Sequence, residues 1–223
     1  MSTWQLFKYP GVARVVLIYN YVMLLAFAYT AVSPVYYYES IQLGGLGFTP
    51  VGIAVSTAVA GLAQAIWLLV VFPRLHKRVG TGRVLFYCAC AWPVSFASCV
   101  VFNMLRRHNL DTVFWATAPP SLMVWSGVAM AFTAVQLAVN DIAPSHHTLG
   151  TLNSIVLAIQ SGIRAVAPAL ATSVYAVGVK YQILGGHLFW LLIVILALGL
   201  SGVLRLLPAK VAGKPKQASK GPA

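Results

Sequence analysis

Six apolar runs, each long enough to cross a lipid bilayer, set the limits on how this chain can fold. The runs lie at Val12–Tyr38, Val51–Phe72, Val84–Leu105, Val113–Val139, Leu149–Val177 and Leu188–Leu206. The core of a bilayer, about 30 Å thick, takes roughly 20 apolar residues in helical form. Backbone groups must be paired inside hydrocarbon, and none of the runs alternates apolar and polar residues as a barrel strand does. The sequence therefore predicts an all-α fold class, a multi-span membrane protein with six transmembrane helices in one bundle.

The composition indicates that lipid is the solvent for most of the chain. Of the 223 residues, 60% are hydrophobic and 8% are charged, which lies outside the usual range for a soluble domain. The net charge of +12 does not indicate nucleic acid, because the basic residues stand at helix ends and not on one amphipathic face with interleaved aromatics. The expected partners are the lipid bilayer and a small-molecule solute, with no nucleic acid and no cofactor.

The distribution of Lys and Arg predicts the orientation of the helices. With a cytoplasmic N-terminus, that side receives Lys8, Arg14, Arg74, Lys77, Arg78, Arg83, Arg205, Lys210, Lys214, Lys216 and Lys220. The opposite side receives only Arg106, Arg107 and Lys180. The positive-inside rule therefore predicts both termini in the cytoplasm, with Arg106 and Arg107 as a local exception. The predicted boundaries are a cytoplasmic segment at 1–11, the bundle at 12–207 and a basic, disordered cytoplasmic tail at 208–223.

Arg164 is the costliest residue in the sequence, because it stands near the middle of the fifth run. A charge at that depth costs about 3 kcal/mol or more. Since a helix advances about 100° per residue, Asn153, Gln160 and Arg164 fall within one narrow arc. The fifth helix is therefore predicted to carry a polar stripe.

Polar residues also occur in three other runs. Trp125 and Gln136 share a face of the fourth helix, and Asn20 and Gln64 are single amides in the first and second helices. These positions predict that the first, second, fourth and fifth helices line a cavity and that the third and sixth are outer supports. The predicted substrate path consists of Asn20, Gln64, Trp125, Gln136, Asn153, Gln160 and Arg164.

Two interpretations of these polar residues remain open at this point. They either contact a solute or bond neighbouring helices to each other. Glu39 and Asp141 stand at opposite ends of their helices, so no acidic residue shares the depth of Arg164. The guanidinium then needs backbone carbonyls, a partner outside the sequence or an anionic ligand.

Enzymatic chemistry is not indicated. The sequence has no paired carboxylates, no His-Glu-x-x-His motif and no Ser/His pair inside the runs, so we expect no enzyme and no catalytic residue. Cys88, Cys90 and Cys99 all lie within the third run. They are interpreted as small packing residues and not as disulfide or metal ligands.

The segment "NDIAPSHHTLGTLN" raises the question of a metal site, because it combines Asp141 with His146 and His147. A metal site needs three or four converging ligands, and adjacent histidines point in different directions. We expect no metal there. The alternative is a cytoplasmic connection between the fourth and fifth helices, in which Asp141 anchors basic groups such as Arg78, within the bundle or across a gate.

Three stretches of sequence carry a resemblance to a known family: "GGLGFTPVGI", "PRLHKRVGTGR", and "DIAPSHHTLGTLN" followed by "QSGIRAVAPAL". They resemble the C-terminal six-helix half of a major facilitator superfamily transporter of a fungal branch, over about Val12 to Pro208. The resemblance implies alternating access by two bundles that rock about a central site. It also implies a cytoplasmic gate with Arg78 and Gly80 at matching positions, to which Asp141 is added. Lys77 and Pro73 depart from the pattern, where an aspartate and a glycine are common.

A full transporter of this kind has twice as many helices as this sequence. The resemblance therefore implies a missing N-terminal six-helix bundle, or a homodimer in its place. The predicted function is a secondary transporter subunit or fragment for small solutes. The alternative is a non-transporting membrane scaffold or receptor-like protein.

Overall fold

Six long helices form the bundle in the computed structural model, which describes residues 9–144, 146–208 and 211. The helices are α1 (Val12–Tyr38), α2 (Pro50–Val79), α3 (Thr81–Arg107), α4 (Asp111–Ile142), α5 (His146–Lys180) and α6 (Leu188–Leu206). Each is long and apolar enough to cross a membrane. The described residues contain no strand. The predicted all-α fold class with six spans is confirmed.

The predicted end of the second run at Phe72 is wrong, because most of the stretch "PRLHKRVGTGR" that follows it is helical. A π-helical turn at Trp67–Val71 precedes Pro73, and the helix continues as Phe72–Val79. Proline has no N–H to donate to the preceding turn, and a wider turn is one way in which a membrane helix passes it. Gly80, with φ of 84°, ends α2, and α3 begins at Thr81. The connection is a single residue in a conformation that favours glycine.

The core lies between α1, α3, α4 and α6, and its largest fully buried side chains include Trp190 and Phe114. α1 packs most extensively against α5, and α3 packs against α6. The inner half of α4, Met130–Ile142, lies against both α1 and α3. α2 contacts mainly the outer half of α4 and buries few of its residues. α2 and α5 are the least buried of the six helices.

Two side chains from the end of α3 hold the outer connections together. Asn103 donates from Nδ2 to the carbonyls of Ile41, at 2.9 Å, and Gly45, at 2.6 Å. Arg107 donates from Nε to Ile41 at 3.0 Å and from Nη2 to the carbonyls of Gln42, at 3.0 Å, and Gly185, at 2.7 Å. Arg107 therefore joins the α1–α2 connection to the α5–α6 connection.

The neighbouring arginine has a different role. Arg106 forms an ion pair of 3.3 Å with Asp111, and its guanidinium lies 5.2 Å from the ring centroid of Phe114. Both arginines that depart from the charge pattern on this side are thus engaged in contacts that close the bundle's end. The orientation of the helices across the membrane stays a prediction.

His187 stands in the same connection and is only 4% exposed. Its Nδ1 lies 3.0 Å from the carbonyl of Leu184, and its Nε2 is buried without a hydrogen-bond partner. Burial lowers the pKa of His187 below its ordinary 6.5, and the nearby Arg107 lowers it further. The folded chain therefore holds the imidazole neutral at pH values where the unfolded chain binds a proton.

Acidification is expected to destabilise the chain through His187. Above the ordinary pKa both states are neutral, so stability is unaffected; as pH falls below 6.5, the unfolded state gains the proton first and stability decreases. The melting temperature of the purified protein should fall between pH 7.5 and pH 5.5. In the His187→Gln variant this fall should be smaller. His108→Gln, at an exposed position, is the control and should keep the wild-type slope. If the melting temperatures of all three proteins fell equally with pH, His187 would not be the group responsible for the acid destabilisation.

Candidate functional site

A cavity of about 300 Å³ lies inside the bundle, between α1, α2, α3 and α4. It occupies the half of the bundle that holds the α1–α2 connection, since Leu46 and Phe48 of that connection are part of its wall. Aromatic side chains from three helices and the connection dominate the lining: Tyr29, Tyr36, Tyr37, Phe48, Trp92, Phe96, Phe102, Phe114, Trp115, Trp125 and Phe132. Phe48 and Trp115 are stacked, with ring centroids 5.8 Å apart and an interplanar angle of 10°. No Asp, Glu, Lys, Arg or His is among the lining residues.

An irregular stretch of α4 shapes one wall of this cavity. Pro119 and Pro120 interrupt the backbone bonding of α4, and a 3₁₀ turn follows at Ser126–Ala129. Trp67 of α2 packs over this turn, where a Cβ at Gly127 would lie 2.8 Å from its indole ring. The Trp67 Nε1 donates to the carbonyl of Met123 at 2.9 Å. Irregular backbone at membrane depth is tolerated where it is buried or faces a cavity.

Gln64 and Trp125, two residues of the predicted substrate path, meet in the wall of the cavity. Gln64 comes from α2 and is half-buried. The Nε1 of Trp125 is shielded from solvent and has no hydrogen-bond partner. These two residues are the part of the predicted path that lines the cavity.

The other predicted amides lie outside that cavity, and three of them connect helices. Gln136 of α4 donates from Nε2 to Asn153 Oδ1 of α5 at 3.3 Å. Tyr19 of α1 donates from its hydroxyl to Gln160 Oε1 of α5 at 3.4 Å. Asn20 donates to the carbonyl of Val16 in its own helix at 2.8 Å, and its Oδ1 is buried without a partner. The residues of the predicted path are therefore separated, with Gln64 and Trp125 at the cavity and Gln136, Asn153 and Gln160 at the contacts of α5.

Arg164 lies on the exposed side of α5. Its guanidinium carbon is 5.3 Å from the ring centroid of Phe27 on α1, an arrangement that is attractive for a cation over an aromatic face. Within the described part of the chain, the ion pair that forms is Arg106 with Asp111, so Arg164 has no carboxylate partner there. The sequence predicts that no acidic residue lies at the depth of Arg164, and the described structure agrees with this prediction.

The assignment of α3 to the outer supports is wrong for this cavity. α3 contributes Trp92, Phe96 and Phe102 to the wall, whereas α5 contributes none of the lining residues. The prediction was based on amides and charges, and α3 contributes neither: its lining residues are three aromatics, two serines and a cysteine. Aromatic residues in a membrane helix look alike in sequence whether they face lipid, core or cavity, so only tertiary packing could identify them.

The three predicted gate residues lie near the opposite end of the bundle. Arg78 and Asp141 are both exposed, and no ion pair joins them among the described residues. Gly80 forms the single-residue connection between α2 and α3, and its N–H donates to the His76 carbonyl at 2.9 Å. Arg78 and Asp141 therefore form no ion pair within the described part of this bundle, and a contact across a gate stays a prediction.

The paired histidines begin α5, since that helix starts at His146. Ser145 and the side chains of His146 and His147 fall outside what the structure describes. The prediction that they bind no metal therefore stays a prediction. The predicted N-terminal segment and basic tail also lie mostly outside the described ranges.

Comparison with known proteins finds relatives that are named transporters. The chain is 44% identical over 224 residues to "Efflux pump azaK" of Aspergillus niger, an alignment that covers 99% of this chain and 48% of that protein. It is 25% identical over 202 residues to "Major facilitator-type transporter psiT2" of Psilocybe cubensis, which covers 86% of this chain and 38% of that protein. The protein of the same name from Psilocybe cyanescens is 26% identical over 193 residues, with 80% and 36% covered.

The chain thus spans about half the length or less of the curated relatives it matches. No protein-family profile matches it. No solved structure matches it either. The transporter names of the relatives do not favour the scaffold alternative. With six apolar spans and these relatives, the chain is an integral, multi-pass membrane protein. These relatives are named an efflux pump and major facilitator-type transporters, and the chain resembles the C-terminal six-helix half of a fungal transporter of that superfamily.

Proposed function

We propose that this chain is half of a secondary transporter, which moves a small solute by alternating access together with an N-terminal six-helix bundle. The relatives that it matches are named an efflux pump and major facilitator-type transporters, and the chain spans about half of their length or less. The bilayer and a small solute are the partners that this function requires. A homodimer that supplies the second bundle is the alternative assembly, and no catalytic residue or cofactor is proposed.

The observation that carries the proposal is the uncovered polar face of α5. Arg164 is exposed there without a carboxylate in the described part of the chain, while Gln160 and Asn153 lie on the same arc. A permanent charge near the middle of a membrane helix is stable when it faces protein or water and not hydrocarbon. We infer that the second bundle covers this face and that Arg164 then lines the space between the two bundles.

The hydrogen bonds of α5 to its neighbours are compatible with movement. The Tyr19–Gln160 and Gln136–Asn153 bonds are 3.4 and 3.3 Å long, longer than the usual range for strong hydrogen bonds. A solute group that offers a better donor or acceptor therefore competes with them at small cost. Alternating access needs such exchangeable contacts, because the site must open to each side in turn.

The orientation proposed for the transporter follows the charge pattern. Both termini, the α2–α3 turn and the α4–α5 connection are placed in the cytoplasm by the positive-inside rule. Arg78, Gly80 and Asp141 are then the cytoplasmic gate of this half. The proposed domains are the segment at 1–11, the bundle at 12–207 and the basic tail at 208–223.

Replacement of Arg164 tests the transport proposal. The chain is 44% identical to the Aspergillus niger relative over 224 residues, and it would be expressed together with the N-terminal half of that relative. The efflux of a panel of aromatic fluorophores would then be measured. Arg164→Ala should reduce flux at least about tenfold, since a charge in the path is lost, while membrane insertion stays normal. Arg205→Ala, at an exposed position near the end of α6, is the matched control and should keep wild-type flux.

Two results would count against the proposal in different ways. Full flux in Arg164→Ala would remove Arg164 from the path but leave transport intact. Flux at background level in the wild type, with both halves present in the membrane, would contradict the transporter and favour the scaffold alternative.

A further inference from the structure

We propose that the aromatic cavity between α1, α2, α3 and α4 is a binding site for an uncharged, flat aromatic solute that carries a hydrogen-bond acceptor. The site lies inside one bundle and not on the α5 face left for a second bundle. That this ligand is a transported substrate rests on the transport function proposed above. That the cavity binds such a ligand does not depend on that function.

The charge of the ligand follows from the lining. The wall contains no acidic or basic side chain and no histidine, so nothing there compensates an ionic group. A charge taken out of water without a partner is strongly disfavoured. The ligand that fits this cavity is therefore neutral.

The shape of the ligand follows from the rings. Phe48 and Trp115 already form a stacked pair with nearly parallel planes, and further rings from α1 and α3 complete the wall. Aromatic rings favour offset stacking and edge contacts with other rings. The volume of about 300 Å³ is at the lower end of the range for small-molecule pockets. A compound of two or three fused rings matches this space.

The polar group of the ligand follows from the donors that remain free. The hydroxyls of Thr30, Ser95 and Ser98 already donate to carbonyls of their own helices. By contrast, Trp125 Nε1 is shielded from solvent and donates to nothing. A buried donor without an acceptor is unfavourable, and a carbonyl or ether oxygen on the ligand would satisfy it. Gln64, which also lines the cavity, supplies a second polar group.

The first test measures binding to the 223-residue chain in lipid nanodiscs, with empty nanodiscs as the background. The radiolabelled probe is 2-acetylnaphthalene, which is flat and neutral and has a carbonyl acceptor. We expect saturable binding of this ketone. 2-Ethylnaphthalene should compete with an affinity about tenfold lower than that of the unlabelled ketone, and 2-naphthoate should not compete. Absence of saturable binding, or preferred binding of the carboxylate, would overturn the proposal.

Two pairs of variants locate the binding to this cavity. Ala60→Phe fills the space from α2, and Ala58→Phe adds the same ring at an exposed position of that helix. The first should abolish binding and the second should preserve it. Trp125→Phe should lower the affinity for 2-acetylnaphthalene about tenfold and leave the affinity for 2-ethylnaphthalene unchanged, because the substitution removes only a hydrogen-bond donor. Trp190→Phe removes an equally unpartnered N–H outside the cavity and should have no effect.

The outcomes separate this inference from the transport proposal. Unchanged ketone binding in both Ala60→Phe and Trp125→Phe, with each variant folded as judged by its melting temperature, would overturn the binding site while transport could still be observed. Loss of binding confined to those two variants would support the site even if the paired halves show no flux.

Discussion

Replacement of Gly186 by alanine is expected to lower the melting temperature of the purified chain by about 10 °C or more, or to prevent its accumulation in the membrane. Gly186 has φ of 89°, a conformation that side chains with a Cβ rarely adopt. A Cβ there would also overlap the carbonyl oxygen of Leu43. Both effects act together, and a backbone carbonyl cannot move aside as the end of a flexible side chain can. Strain of this kind costs about 1–3 kcal/mol for the conformation alone.

The matched control is Gly202→Ala. No atom lies within 4 Å of a Cβ built at Gly202, so this variant should melt within about 2 °C of the wild type. Thermal unfolding in detergent, followed by size-exclusion chromatography, gives both values. A Gly186→Ala protein as stable as the control would show that the two outer connections are not packed backbone against backbone.

Arg107→Met is the second change with a large expected effect. The substitution keeps an apolar stem but removes all three donations to the carbonyls of Ile41, Gln42 and Gly185. The Ile41 carbonyl keeps the bond from Asn103, so the carbonyls of Gln42 and Gly185 are the two that lose their donor. Each such carbonyl costs about 1–3 kcal/mol, and the loss of stability is expected to be about 2–4 kcal/mol. The outer connections should also become accessible to protease, since nothing else spans both of them from α3.

Two further variants define the mechanism of this loss. Arg107→Lys retains the charge but replaces a planar fork with a single ammonium group, so it should recover little of the stability. Arg106→Met removes an ion pair to an exposed Asp111 carboxylate and should cost less than about 1 kcal/mol. If Arg107→Lys matches the wild type, the charge and not the fork geometry holds the connections.

The sequence predicted the helices accurately where hydropathy alone decides their limits. The first and sixth runs, Val12–Tyr38 and Leu188–Leu206, coincide with the helices observed. The second run was placed too short, since α2 continues to Val79 through a basic stretch. Hydropathy reports the thickness of hydrocarbon, and it does not report that a helix extends beyond the membrane interface.

The candidate site was predicted only in part. Gln64 and Trp125 were selected as polar residues in apolar helices, and both line the cavity. The stacked Phe48–Trp115 pair was missed, because Phe48 comes from a connection and Trp115 from the start of α4. A signal did exist in the α4 sequence, where Pro119, Pro120 and Gly127 mark an irregular helix. Its meaning depends on Trp67, which packs there from a different helix.

The sequence by itself determined that the chain is a six-span helical membrane protein with an uncompensated charge in the fifth span, because both conclusions depend on local composition and helical period. Tertiary structure alone decided which helices enclose the cavity, that α3 belongs to its wall, and that Arg107 joins two outer connections. The physical reason is that inside a bilayer both core and lipid-facing surfaces are apolar. Hydrophobicity therefore cannot separate them, and only the packing of small residues, irregular turns and aromatic rings shows which faces meet.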